Sequence, residues 1–256
     1  MNSLKNKIVF ITGATAGIGK STAVAFAKEG AKLILTARRA DVLKILANEL
    51  KKEFNVEIFT AKLDVKNLNE AKKVIAALPE EWKSIDILVN NAGLAKGFGH
   101  IYTDDEENWD EMIDTNIKGV LYVTRQILPG MIERGSGHII NLGSTAGHMS
   151  YANGGVYCAT KFGVRAISDA LRIELLDKNV RVSSVDPGAV ETEFSNTRFN
   201  GDKEKAKNVY KGITPLNGDD IAEAIIFCAT RPPHANINEI IITPSVQANS
   251  FFIHRK

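Results

Sequence analysis

The chain has 256 residues, 44% of them hydrophobic and 24% charged, the make-up of a globular protein that buries a sizeable core without needing a disulfide or a metal. Its formal net charge of +2 is too small to mark a nucleic-acid or anionic-membrane surface. Two cysteines, Cys158 and Cys228, fall in helix-period segments without metal-ligand or CxxC spacing, which fits a reducing compartment better than a disulfide framework.

Residues 1–7 are short and polar, and the first apolar run, 8–11, stops at a glycine turn. Neither a secretory signal nor a membrane span is read there, and the expected location is the cytoplasm. Short β-branched runs then alternate with helix-period segments, the mark of a parallel sheet with crossover helices. Strands are expected at 7–12, 31–36, 56–63, 86–90, 137–142, 181–186 and 239–242. Each is nearly continuously apolar, as burial on both faces demands. Helices are expected at 17–29, 40–54, 68–78, 105–133, 156–177 and 219–230, with Asn67 and Asp104 as N-caps. The fourth is too long for an unbroken helix of average kind, and Asn116 lies near its middle. No repeat or linker interrupts the pattern, so residues 1–256 are expected to form one α/β domain. That domain is a doubly wound, parallel seven-stranded sheet of Rossmann-like type in three α/β/α layers. The more polar segment 192–216 reads as a substrate-covering insertion.

The loop after the first strand, TGATAGIG at 12–19, has glycines at 13, 17 and 19. Between a strand and a helix, that spacing brings bare backbone and a helix N-terminus against a pyrophosphate. Gly13, Thr15, Ala16, Gly17, Ile18 and Gly19 are therefore candidate cofactor contacts. Where an NAD site usually offers a carboxylate to the ribose, this chain has Ala37 followed by Arg38 and Arg39. A missing acid and two guanidiniums favour a 2′-phosphate, hence NADP. Asp64 and Val65 after the third strand, and Asn91 after the fourth, are placed to reach adenine and its ribose.

Tyr157 and Lys161 are four residues apart, on one face of a helix, thirteen and seventeen residues after Ser144. A phenol of ordinary pKa about 10 must be stabilised as phenolate by roughly 4 kcal/mol to act near neutral pH. One ammonium about 4 Å away supplies roughly that much at an effective dielectric near 20. The expectation is that Lys161 lowers the pKa of Tyr157, which passes a proton to or from an alcohol oxygen held by Ser144.

TGATAGIG at 12–19, NNAG at 90–93, Asn116, Ser144, the YxxxK of Tyr157 and Lys161, and Pro187-Gly188 stand in the order and spacing of the short-chain dehydrogenases/reductases. The chain resembles that family over essentially its whole length. The resemblance implies Tyr157 as acid/base, Lys161 as its tuner and a nicotinamide-ribose ligand, Ser144 orienting the reacting oxygen, and Asn116 holding a water that links Lys161 to solvent. It adds Pro187, Gly188, Val190 and Thr192, with Tyr157 and Lys161, to the cofactor-binding set.

Finer segments are similar to the NADP-dependent 3-hydroxy acid dehydrogenases, a group that includes serine 3-dehydrogenases and L-allo-threonine dehydrogenases. These segments are LPEEW at 78–82, DILVNNAGLA at 86–95, GSTAG at 143–147, and TEFS at 192–195 followed by Arg198-Phe199. The implied substrates are serine, L-allo-threonine, and compounds of the 3-hydroxypropionate and malonic semialdehyde type. A homotetramer is implied too, with no metal, nucleic acid or membrane as partner. A carboxylate substrate needs an anchor, and Arg198 is the candidate, beside Ser144 on the hydroxyl. Relatives commonly carry a polar residue where Gly155 stands. The alternatives are a carbonyl or 3-oxoacyl reductase using the same residues, and a non-catalytic NADP-binding sensor. The tail, 244–256, exposes three apolar side chains if it hangs free, and is expected in a subunit contact or packed on its own chain.

Overall fold

The computed structural model describes residues 3–256; Met1 and Asn2 of the polar start lie outside the described residues. Seven parallel strands form one sheet in the order β3-β2-β1-β4-β5-β6-β7. They are β1 (Ile8–Thr12), β2 (Lys32–Ala37), β3 (Ile58–Lys62), β4 (Ile87–Asn90), β5 (Gly137–Leu142), β6 (Val180–Pro187) and β7 (Glu239–Ile242). The helices are α1 (Gly17–Lys28), α2 (Ala40–Phe54), α3 (Leu68–Ala76), α4 (Glu106–Ile113), α5 (Gly119–Arg134), α6 (Gly155–Glu174), α7 (Phe194–Arg198), α8 (Lys203–Asn208) and α9 (Gly218–Ala229). Among the described residues no helix is long and apolar enough to cross a membrane.

Two apolar layers sandwich the sheet. Phe26 of α1, Leu43, Leu46 and Leu50 of α2, and Ile221 and Ile225 of α9 pack with Val9, Ile11, Leu33 and Leu35 on one face. On the other, Val123, Ile127 and Met131 of α5 join Phe10, Ile34, Leu88 and Ile139. Leu43, Leu46, Ala47 and Leu50 follow the spacing of one helical face, which is why α2 forms and which side it buries. Each such leucine is worth about 2–5 kcal/mol against alanine.

Burial on both faces holds for β1, β2, β4, β5 and β6, but not for every strand. β3 and β7 close the two edges, and their residues are mostly half-buried. A one-dimensional pattern does not say which apolar run will lack a neighbour. The long fourth helix is indeed broken. A wider π turn, Asp114–Lys118, separates α4 from α5 and contains Asn116. Asn67 caps α3 by accepting from the backbone N–H of Asn69 and Glu70. The cap of α4 is Asp105, not Asp104. Asp105 has the extended backbone a cap requires and accepts from Glu107 N–H, while Asp104 accepts from Asn108 Nδ2 at 3.3 Å.

The strand order reverses between β1 and β4, so the carboxyl ends of these strands open a crevice where α/β proteins bind ligands. Behind that edge, Asn90 Nδ2 donates to Asn141 Oδ1 at 2.9 Å and Thr124 Oγ1 at 3.0 Å, and Asn141 Nδ2 donates to Ser168 Oγ at 2.9 Å. This buried amide ladder ties β4, β5, α5 and α6 together beneath the crevice.

At the opposite end of β5, His138 is 2% exposed, with Nε2 at 2.8 Å from Ser183 Oγ and Nδ1 without a partner. Burial, with Arg181 adding, holds its pKa well below the ordinary imidazole range. The unfolded chain takes up this proton near pH 6.5, whereas the folded chain resists it. The associated stability is therefore fully present above about pH 6.5 and is lost as pH falls below it, by at most about 1.4 kcal/mol per pH unit. In urea titrations between pH 7 and 5, His138→Gln should lose stability less steeply than the parent chain. Parallel slopes would remove this role.

Candidate active site

A cleft of about 1000 Å³ runs along the carboxyl edge of the sheet, from Arg38, Arg39, Asp64 and Val65 at one end to Ser144, Tyr157 and Lys161 at the other. The loop between β1 and α1 forms its floor. Gly13 has φ +66, and a Cβ at Gly19 would stand 2.3 Å from the Gly13 carbonyl oxygen, so both positions demand glycine. Gly13, Thr15, Ala16, Gly17 and Ile18 line the cleft. Gly19 is not among the lining residues; its smallness lets α1 sit close on the loop. No side chain caps α1, leaving its first-turn N–H groups for an anion.

Asn91 lines the cleft, but its amide is turned inward. Nδ2 donates to Thr12 O at 2.8 Å and to Gly13 O at 3.2 Å, so the side chain holds the glycine loop across the β1–β4 crevice. The amide thus braces the glycine loop while the residue stays on the cleft wall. Asp64 accepts from Lys66 N–H at 3.1 Å and lines the cleft with Val65.

Arg38 and Arg39 stand at the end of β2, half-exposed. Arg39 Nη2 lies 3.1 Å from Thr15 Oγ1 and 3.5 Å from Glu193 Oε2; Arg38 Nη1 is 3.9 Å from Glu111 Oε1. Exposed pairs of this kind contribute little to stability, so both guanidiniums can be surrendered to a phosphate. Ala37, where a ribose-binding acid would stand, is buried and apolar. The bare loop, the uncapped helix and two cations without that acid fit a phosphorylated dinucleotide.

At the other end, Ser144 follows β5 and caps a short 3-10 turn, Thr145–Gly147, accepting from Ala146 N–H at 3.1 Å. Tyr157 and Lys161 lie one turn apart on α6, both buried. The phenol ring packs edge-on against Phe194 of α7 at 5.6 Å between centroids. Lys161 Nζ donates to Leu142 O at 2.8 Å and lies 6.0 Å from the centre of the Tyr157 ring. The expected lowering of the phenol pKa is not met. Burial, reinforced by Tyr151, pushes it upward, against a hydrogen bond with Ser144 and the charge of Arg198. Burial also brings Lys161 down to about 8, opposed by the carboxylate of Asp186. Two enclosed side chains lose their water, and that loss outweighs an ammonium engaged by Leu142.

Asn116 does not line the cleft. Its Nδ2 donates to Leu94 O at 2.8 Å and Thr160 Oγ1 at 3.0 Å, and its Oδ1 accepts from Leu94 N–H at 2.9 Å. These bonds engage both ends of the carboxamide, so the side chain joins the loop after β4 to α6 next to Lys161. His148 Nε2 is 2.5 Å from Asp186 Oδ2 and 3.7 Å from Glu239 Oε1, which Arg165 also meets at 3.0 Å. Ligand atoms of His148, Asp186 and Glu239 lie within 4.8 Å of one another, and Ser184 donates to Asp186 as Arg165 does to Glu239.

The segment between β6 and α9 forms the outer wall. Pro187, Gly188, Val190 and Thr192 line the cleft, and α7 carries Arg198 into it. The Arg198 guanidinium stands 4.7 Å from the Phe98 ring, 5.4 Å from Tyr151 and 5.6 Å from Tyr157. Its Nε and Nη2 are buried without a hydrogen-bond partner. In front of Gly155, Ile101 Cδ1 would meet an added Cβ at 2.9 Å, so the space a polar side chain would take is filled by an isoleucine.

Sequence reasoning missed several wall residues. Phe98 and Phe194 carry no polar signature. Of the two places expected for the tail, it packs on its own chain: Gln247 Oε1 accepts from Ala189 N–H at 2.8 Å, and Arg255 Nη1 donates to Val209 O at 3.1 Å and Lys211 O at 2.6 Å. It folds back on its own chain and lines the cleft, leaving Phe251 and Phe252 exposed. Only the glutamine three residues after Pro244 could have signalled this.

The fold and this constellation coincide with the short chain dehydrogenase family model, which matches residues 7–203, and the chain belongs to that family. An NADP-dependent 3-hydroxy acid dehydrogenase of Escherichia coli (strain K12) is 47% identical over 251 residues, covering 97% of this chain and 100% of that one. A serine 3-dehydrogenase of Rhizobium radiobacter is 45% identical over 244 residues, covering 95% and 96%. Among solved structures, the closed form of serine dehydrogenase complexed with NADP+ superposes with a TM-score of 0.91 at 47% identity, covering 97% of this chain and all of that one.

Proposed function

We propose that the chain is an NADP-dependent oxidoreductase that interconverts the 3-hydroxyl and 3-oxo groups of short 3-hydroxy acids of the serine, L-allo-threonine and 3-hydroxypropionate type. The observation that carries the substrate class is Arg198, a cation with two buried, unpartnered N–H groups beside Tyr157. A carboxylate answers such a fork in plane. Relatives at 45–48% identity bear the names of enzymes with this activity, and one such structure holds NADP+.

Arg38 and Arg39 would hold the 2′-phosphate of NADP(H), and the N–H groups around Gly13 and Gly17 its pyrophosphate; the bound dinucleotide would supply or accept the hydride. Ser144 orients the reacting oxygen, and Tyr157 holds the proton that leaves or joins it. Burial, with Tyr151 adding, pushes that phenol's pKa upward, and positive charge brought into the cleft would lower it. Lys161, at about 8 in the protein alone, then adds its own charge and hydrogen-bonds the ribose. Asn116 acts by positioning, through its bonds to Leu94 and Thr160.

Arg198→Met is expected to raise KM for 3-hydroxy acids by about 10- to 100-fold, the value of a hydrogen bond to a charged group. Neutral carbonyl substrates should change little. Equal losses on both classes in initial-rate kinetics would remove the carboxylate role. The same reading makes the enzyme a homotetramer, its exposed Ile173, Leu176, Phe251 and Phe252 covered by other copies. It also assigns a reducing cytoplasm, which suits two free, buried cysteines.

A further inference from the structure

Beyond Arg198 the cleft gives way to a small recess of about 10 Å³, walled by Asp104, Trp109, Gly154, Gly155, Tyr157 and Arg198, the Asp104 carboxylate already accepting from Asn108 Nδ2. Trp109 comes from α4 and packs against the Leu94, Met112 and Tyr157 cluster. Its indole Nε1 is buried without an acceptor, as are Nε and Nη2 of Arg198. Among the described residues, three of the seven buried side-chain polar atoms lacking a partner therefore belong to two residues that line this recess. Lys96, also on its wall, is already held by Glu111 at 2.6 Å.

All three orphans are donors. Leaving a buried donor unanswered is unfavourable, and native proteins accept it rarely and in places with a reason. Of the groups that a 3-hydroxy acid carries, the one that answers several donors while bringing no hydrogen of its own is the ionised carboxylate. A hydroxyl or an amide would bury a new donor beside them. The space is that of about one water molecule, so it admits a single oxygen and no carbon branch.

We propose that Trp109 is a substrate-binding residue, its indole N–H sharing with Arg198 the carboxylate of the hydroxy acid, one oxygen of which seats in the recess. This rests on the reading that Tyr157 handles the hydroxyl of such an acid. It assigns specificity to a residue outside every motif of the sequence, and sets the distance from carboxylate to reacting carbon by the span from α4 to α6.

Trp109→Phe keeps an aromatic ring and removes the N–H. In initial-rate kinetics with NADP, KM for 3-hydroxyisobutyrate should rise about tenfold or more, with kcat within about threefold. For 2-methylpropane-1,3-diol, the same skeleton without the charge, kcat/KM should stay within about twofold. A residue that only shapes the fold would depress both substrates together, and that outcome, or no change on the acid, overturns the proposal. A second readout needs no turnover. Propionate titrated into the parent protein should change tryptophan emission in a saturable way. Propionamide should not, and the response should vanish in Trp109→Phe and in Arg198→Met. An equal response to propionamide, its survival in Arg198→Met, or no response to propionate leaves the recess to water and sinks the assignment. If the parent protein turns over neither the acid nor the diol, the proposed reaction fails, and the propionate titration alone decides the recess.

Discussion

Replacing Tyr157 with phenylalanine is expected to lower kcat by about a thousandfold, the middle of the range for removing a general acid/base, while NADPH binding persists within a few-fold. The ring is retained, so its edge-on packing against Phe194 at 5.6 Å is retained too, and stability should change little. What is lost is the hydroxyl proposed to exchange a proton with the substrate oxygen beside Ser144. Stopped-flow and steady-state rates, paired with NADPH fluorescence titration, separate the two quantities. A variant that keeps more than about a tenth of the parent kcat would move the acid/base role to another group.

The second large effect is expected at the opposite end of the cleft. Replacing Arg38 and Arg39 together by glutamine should weaken NADPH binding by about a hundredfold and leave NADH binding within a few-fold. Each guanidinium–phosphate hydrogen bond is worth about 1.5–3 kcal/mol when well formed. Both side chains are about half-exposed, which argues for the lower end of the combined range. Their present partners, Glu111 and Glu193, hold them only at 3.9 and 3.5 Å, so little is forfeited when a phosphate takes over. Direct titration of both cofactors checks it. Parallel weakening of NADPH and NADH would mean that these arginines support the fold of the cleft and do not read the phosphate.

Much of the fold was legible because it rests on short segments with local rules. β5 and β7 have the expected bounds, as does α2, since β-branched runs ending at Gly143 or Thr243, and a stripe of leucines, leave few alternatives. The glycine loop, Arg38 and Arg39, Ser144, and the Tyr157–Lys161 pair were equally accessible, each being chemistry written within a few residues. What escaped depends on chain segments far apart. Asn91 lies in a strand-end motif, yet whether its amide faces a ligand or the Gly13 carbonyl is settled by how close β1 and β4 come. The phenol pKa depends on enclosure by Phe194 and Tyr151 from other elements, and spacing along one helix cannot weigh that against an ammonium. Gln247 reaches Ala189 across 58 positions of chain. Trp109 is unremarkable in sequence, and only its missing acceptor in three dimensions sets it apart.

The proposed activity needs a buried phenol, a neighbouring ammonium and a buried arginine acting on a hydroxy acid with a 2′-phosphorylated cofactor. Following absorbance at the reduced-nicotinamide band tests this most directly, with NADP or NAD offered alongside serine, allo-threonine and 3-hydroxyisobutyrate, and, in the reverse direction, NADPH alongside acetoacetyl thioesters and neutral ketones. The predicted result is NADP reduction by the hydroxy acids, at least tenfold slower with NAD, and weak turnover of the uncharged compounds. Turnover confined to thioesters or neutral ketones, or equal rates with the two cofactors, would contradict it.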